Sequence, residues 1–279
     1  MNRLSNEKRA RVLLSLCEGM SIRATVRMTG AAKNTIVKLL ADVGDACLDY
    51  QDQAMHDLPC RLIQCDEIWS FCYAKAKNVP KAKRGQFGYG DVWTWVALDA
   101  ETKLVPCWFV GRRDPDTAHE FMLGLASRLR NRVQLTTDGH AAYLAAVDEA
   151  FGGDIDYAML VKMFGPGEGK TIAERKYSPG ECNGTRKYRV QGRPDPRRVS
   201  TSFVERQNLT MRMCMRRFTR LTNAFSKKVE NHMHALSLYY MFYNFVRVHK
   251  TLGTTPALAA GVADHVWTLE EVAAMVDSK

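Results

Sequence analysis

Residues 61–71, RLIQCDEIWSF, set two acids, Asp66 and Glu67, at the end of a short apolar run. Leu62, Ile63, Cys65, Ile68, Trp69 and Phe71 suit a buried strand. A carboxylate there loses hydration, which is costly unless something positive meets it. Side chains alternate along a strand, so Glu67 is expected to point to the opposite face from Asp66.

Outward from this strand the pattern predicts an α/β sheet. Residues 92–100 (VWTWVALDA) and 103–112 (KLVPCWFVGR) read as a hairpin turned at Asp99-Ala100-Glu101-Thr102. An amphipathic helix follows over 114–132, with Ala118, Phe121, Leu125 and Leu129 on one face. Then come a strand at 133–138, a helix over the segment GHAAYLAAVDEAF and a fifth strand at 155–164. Residues 165–201 are Gly/Pro-rich and basic and predict a long mobile loop; helices follow from Ser202 and over 223–248. Trp93, Trp95 and Trp108 read as core.

Asp66 and Asp138 both stand at strand ends. If those strands are neighbours, the carboxylates meet and cannot both stay ionised without a cation between them. Hard oxygen ligands select Mg²⁺ or Mn²⁺. Two such ions can activate a water or 3′-hydroxyl and stabilise the leaving oxygen of a phosphodiester. A third carboxylate is expected from the helix after the fifth strand, where Glu205 stands. Ser202 and Glu205 also fit a capping box, a purely structural role. Arg212 and Arg216, seven and eleven residues on, would share its helical face.

The 279-residue chain carries a net charge of +10, unevenly spread. Residues 1–40 hold eight Lys/Arg against two acids, and residues 162–228 hold seventeen against five. Residues 41–57 hold five acids and no Lys/Arg. Two basic blocks point to a polyanion, and nucleic acid is the obvious one. The N-terminus lacks a signal-type apolar segment, and residues 236–246 are too short to span a bilayer, so a soluble cytoplasmic protein is expected. Eight cysteines without a CxxC pair read as reduced thiols; a zinc site at Cys60, Cys65 and Cys72 matches no usual spacing.

Three short helices are predicted within residues 5–43, with Ser5 and Ser21 as caps and Gly19 and Gly30 as stops. The last two, about three residues apart, describe a helix-turn-helix unit. Lys33, Asn34, Thr35 and Lys38 on the third helix, with Arg23 before it, would reach DNA; a small bundle with a solvated basic face is the alternative.

Asp66, Asp138 and Glu205, in this order on these elements, resemble the DDE triad of ribonuclease-H-fold transposases, and Arg212 is part of that pattern. The stretch VERQNLTMRMCMRRFTRLTNAFSKK and the tail YNFVRVHKTLGTTPA are similar to insertion-sequence transposases, particularly the insertion sequence one type. The resemblance implies a helix-turn-helix domain at 1–45 and an acidic helical connector at 46–60. It implies a ribonuclease-H-like DDE domain with a mixed five-stranded sheet at 61–263, and a tail at 264–279. It also implies two Mg²⁺ or Mn²⁺ ions, double-stranded DNA (element ends and target) as partner, a homo-oligomer (dimer or higher) on that DNA, and a nucleoid-associated location. Lys75 and Lys77, in a lysine-rich loop beside the first acid, could hold a DNA end or be simply solvated. His140 could touch DNA but reads first as structural, like His232, His234 and His249. Two alternatives stay open: a non-enzymatic DNA-binding regulator, and a nuclease that cleaves without joining.

Overall fold

A computed structural model describes residues 4–165, 181–219 and 223–277. Three helices open the chain: α1 (Asn6–Cys17), α2 (Ile22–Thr29) and α3 (Lys33–Ala54). Ser5 and Ser21 cap the first two by accepting from the N–H groups of Lys8 and Ala24. Gly30 closes α2 at φ +65°, a left-handed conformation that glycine adopts at little cost. α3 runs unbroken for 22 residues, so the acidic stretch is its C-terminal half.

The sheet holds six strands: β1 (Leu62–Cys72), β2 (Gly90–Asp99), β3 (Cys107–Gly111), β4 (Val133–Thr137), β5 (Ile155–Gly165) and β6 (Glu181–Gln191). Their order is β3-β2-β1-β4-β5-β6. β1, β2 and β3 form an antiparallel meander, whereas β4 runs parallel to β1 and β5 parallel to β4. The first five strands form the expected mixed sheet, with a hairpin at its start. The sixth corrects the expectation of a long loop, since residues 181–191 pair antiparallel with β5. The part of that loop at 166–180 lies outside the described residues. At the hairpin, Asp99 Oδ2 accepts from the N–H and hydroxyl of Thr102.

Helices cover both faces. On one, α4 (Pro115–Ala126) and α5 (Ala142–Phe151) bring Phe121 and Tyr143 to Trp95, with ring centroids 5.9 and 5.3 Å apart. On the other lie α6 (Ser202–Cys214) and α7 (Val229–Met241); Tyr240 of α7 stacks on Trp108 at 5.5 Å. α7 is shorter than expected and ends in a wider π turn over Phe242–Val246. Two short helices, α8 (Pro256–Ala259) and α9 (Leu269–Ala274), complete the fold. α9 packs on α1, and Arg9 forks onto the Asp277 carboxylate at 2.8 and 2.7 Å.

α3 packs along α7, so the N-terminal helices and the sheet share one apolar core. Gly44 permits the close approach: a Cβ there would lie 2.6 Å from His234 Cβ. Of the three tryptophans read as core, Trp95 is fully buried, whereas Trp93 and Trp108 are half-buried. No helix among the described residues is long and apolar enough to cross a membrane.

Candidate active site

Register decides where the acids meet. β4 pairs with β1 only over Leu62–Gln64, opposite Gln134–Thr136, and then stops at Thr137. β1 continues eight residues further, so Asp66 and Glu67 stand just past the end of β4, where Asp138 emerges. Carboxylate oxygens of Asp66, Glu67 and Asp138 all lie within 4.8 Å of one another. Glu67 does face the α4–α5 side, as alternation requires, where the Tyr143 hydroxyl lies beside it. Its carboxylate nevertheless joins the cluster.

Arg113, from the turn between β3 and α4, spans this cluster. Its Nε lies 3.2 Å from Glu67 Oε2, and a terminal nitrogen lies 3.8 Å from Asp138 Oδ2. Glu67 Oε1 is buried without a hydrogen-bond partner. Burial, reinforced by the charge of Asp138, pushes the Asp66 carboxyl up to about 6 and the Glu67 carboxyl up to about 7. Such a cluster is one cation short near neutral pH. Hard carboxylate donors, with one buried oxygen unpartnered, fit a divalent ion of the Mg²⁺ or Mn²⁺ kind.

Glu205 stands on the first turn of α6, and β1 places that helix. Gln64 Oε1 accepts the N–H groups of Phe203 and Val204 at 2.9 and 3.1 Å, satisfying donors that the helix start leaves open. Asn208 Nδ2 donates to Asp66 Oδ2 at 2.8 Å. Gln64 and Asp66 share a face of β1, so α6 is fixed at two points beside the first acid. The expected capping box is absent. α6 has Thr201 at its cap and no side-chain cap bond; Glu205 accepts instead from the Thr201 hydroxyl and pairs with Lys162 of β5.

Asp66, Asp138 and Glu205 line one open groove of about 470 Å³, together with Arg113, Lys162 and His140. The His140 N–H donates to Asp138 Oδ1 at 2.9 Å, orienting that carboxylate. Burial, with Arg113 nearby, lowers the His140 pKa. Of the other histidines singled out in the sequence, His232 is buried between Ser70 and Ser226, His234 pairs with Asp45 at 3.0 Å, and His249 rests on the Tyr243 carbonyl.

The basic residues expected at DNA are dispersed. Arg23, Lys33, Asn34, Thr35 and Lys38 are exposed on the N-terminal helices, Lys38 paired to Asp42. Lys75 and Lys77 are exposed in the loop after β1. Arg212 is half-buried near the end of α6. Arg216 does not share that helical face, because α6 ends at Cys214 and Arg216 opens a separate 3-10 turn. Arg23, Lys33 and Arg216 instead line a second cavity of about 580 Å³ between the N-terminal helices and α7. Six of the eight cysteines are buried and all are free thiols, with no cysteine metal cluster among the described residues.

Glu67, Arg113, Gln64, Asn208 and Lys162 are the site residues that sequence reading missed. Glu67 had a signal, its position beside Asp66 in an apolar run. The others acquire their roles only through long-range packing.

No family model matches the chain, and no curated protein matches it. Among solved structures, it is similar to the Mos1 transposase paired-end complex with the left transposon end. There the identity is 12% and the TM-score 0.25, over 56% of this chain and 59% of that one. A Mos1 mariner paired-end complex with Mn gives 11% and 0.22, over 55% and 57%. The Mos1 strand transfer complex gives 12% and 0.26, over 85% and 77%. The chain thus spans under three fifths of the first two in length. These values are too low to carry function from those proteins to this one.

Proposed function

We propose that this chain is a DDE transposase of the insertion-sequence kind, similar to the insertion sequence one type. It would cleave DNA at element ends and join the freed strand to target DNA. The observation that carries this reading is the shared groove: Asp66, Asp138 and Glu205, far apart in sequence, line one open cleft beside two cationic side chains. Two Mg²⁺ or Mn²⁺ ions would neutralise the phosphodiester and help ionise the attacking hydroxyl. Asp66, Asp138 and Glu205 would hold them, with Glu67 behind. Arg113 and Lys162 offer positive charge to the phosphate oxygens. Water opens the bond and leaves a 3′-hydroxyl, which then attacks target DNA. One phosphodiester forms as another breaks, with no covalent protein intermediate.

Residues 1–45 would read the ends through Arg23, Lys33, Asn34, Thr35 and Lys38, and residues 61–263 would carry the chemistry. Lys75, Lys77, Arg212 and Arg216 would contact phosphates, and copies of the chain would assemble on paired ends. The test is purified protein with Mg²⁺ and DNA carrying the native element ends. Nicks at the ends followed by joined products are expected. Nicks without joining favour a nuclease, and end binding without nicks favours a regulator; either overturns the reading.

A further inference from the structure

Past Glu67, the same face of β1 carries Trp69, which is half-exposed, and Phe71, which is buried. Trp69 lies directly opposite Trp93 in the β1–β2 register, and both rings are half-exposed. The rings of Trp69 and Phe71 lie 5.8 Å apart, and Phe225, from the segment before α7, lies 4.7 Å from Phe71. Four aromatic rings thus form a strip that starts beside the acid cluster. A structural role explains a cross-strand aromatic pair. It does not explain the cations gathered over the rings.

The Arg113 guanidinium lies 5.0 Å from the Trp93 ring while its Nε holds Glu67, so one side chain joins the strip to the acid groove. Lys75 Nζ is 6.0 Å from the Phe71 ring and Lys227 Nζ is 4.3 Å from the Phe225 ring. Further on, Lys83 Nζ lies 4.6 and 4.5 Å from the rings of Tyr73 and Tyr89. At its far end Phe225 also lines the cavity that holds Arg23 and Lys33 of the N-terminal helices. The partly exposed rings of Trp69, Trp93 and Phe225, seated around the buried Phe71 and interleaved with cations, match a single strand of nucleic acid, whose bases stack while its phosphates seek positive charge.

We propose that Trp93, Trp69 and Phe225, supported from beneath by the buried Phe71, form a stacking platform for unpaired bases of a DNA end. Arg113 and Lys75 would hold the adjoining backbone. This rests on the reading of the groove as a DNA-processing site and adds that the end is bound frayed. The strand would run from the carboxylates toward the N-terminal helices.

The test uses the full chain without divalent ion, in an Asp66→Asn background, so that no cleavage intervenes. Binding is measured to a labelled oligothymidylate of about ten nucleotides, within single-strand site sizes, and to an abasic strand of equal length and charge. Tighter binding of the base-bearing strand, with quenched tryptophan emission, is expected. Each stacked base contributes about 1–3 kcal/mol, so Trp69→Ala or Trp93→Ala should reduce that preference about 5- to 150-fold. Lys75→Ala should weaken both strands alike. Trp69→Phe keeps a ring, retaining preference while losing part of the quenching, and serves if the alanine variant does not fold. Equal wild-type binding of the two strands, or undiminished preference in a folded Trp69→Ala protein, overturns the platform. Base preference in a protein that never nicks element ends would leave the platform standing and remove the transposase reading. Nicking without base preference would do the reverse.

Discussion

Asn208 Nδ2 donates to Asp66 Oδ2 at 2.8 Å, tying the helix that carries Glu205 to the strand that carries the first acid. The bond favours the ionised carboxylate in a place where burial and Asp138 oppose it. Removing it should therefore raise the Asp66 pKa further. Asn208→Ala is expected to shift the pH midpoint of Mn²⁺ binding upward by about one unit and to weaken binding about tenfold at neutral pH, the scale of a charge-assisted hydrogen bond. Calorimetric titration across pH checks this. An unchanged midpoint would mean that Asn208 serves only packing.

Asp66 and Glu67 both carry raised pKa values, about 6 and about 7. Between the ordinary carboxylate range and those values, the folded chain keeps protons that the unfolded chain has released. Stability without divalent ion should thus fall as pH rises across that window and level off above about 7. Metal binding has the opposite sign, since the ion takes the ionised carboxylates and displaces protons. Mn²⁺ affinity should climb as pH rises through about 6 to 7. Glu67→Gln should flatten the upper part of that climb. Proton release measured in buffers of differing ionisation enthalpy reads it directly.

What was legible in the sequence was the part with a local signature. An acid closing an apolar run, as at Asp66 and Asp138, declares itself because burial of a lone carboxylate demands compensation. The helix stops at Gly30 and the caps at Ser5 and Ser21 are equally local. Gln64 gives no such sign, since its partners Phe203 and Val204 lie 139 and 140 residues away. Arg113 reads as a loop residue until β3 delivers it to Glu67. β6 escaped because almost all of it is exposed, so no alternation of apolar and polar residues marks it as a strand. The capping-box reading of Glu205 failed by one position: the cap is Thr201, not Ser202.

With that box gone, Glu205 owes its place to Lys162 and Thr201. Both charged side chains are about a third exposed, so their pair contributes little to stability. Glu205→Gln keeps an acceptor for the Thr201 hydroxyl and should leave the melting temperature nearly unchanged while abolishing nicking. Lys162→Met removes the cation that now competes for Glu205 and should tighten Mn²⁺ binding in the absence of DNA. Weaker Mn²⁺ binding by Lys162→Met would place Glu205 outside the metal site.

Gly44 tests the union of the N-terminal helices with the sheet. Inside a long helix, alanine in place of glycine would ordinarily stabilise by about 1 kcal/mol. Here the added Cβ would meet His234 Cβ at 2.6 Å, Cα at 2.7 Å and its carbonyl oxygen at 2.9 Å, and two of those atoms belong to backbone that cannot step aside. Gly44→Ala should therefore cost about 1–3 kcal/mol, as overpacking does. A denaturant midpoint that rises instead would show that α3 and α7 can separate freely.

The same union decides how end recognition can be tested. α3 carries Lys33, Asn34 and Thr35 on its exposed first turn, yet buries Ile36, Leu39, Leu40 and Val43 in the shared core. Deleting residues 1–45 would expose that core, so lost selectivity would report unfolding as readily as lost recognition. Point changes on the exposed turn avoid this. Lys33→Ala should weaken binding to all duplexes alike and reduce the salt slope by about one, as loss of a phosphate contact does. Asn34→Ala should leave the slope unchanged and lower the preference for the native end, by about 1–3 kcal/mol if it reads a base edge. Titrations with native and scrambled ends at several salt concentrations separate the two effects. Selectivity and slope both at wild-type values in the double variant would return α2 and α3 to the role of scaffold and move end recognition to the basic residues beyond 162.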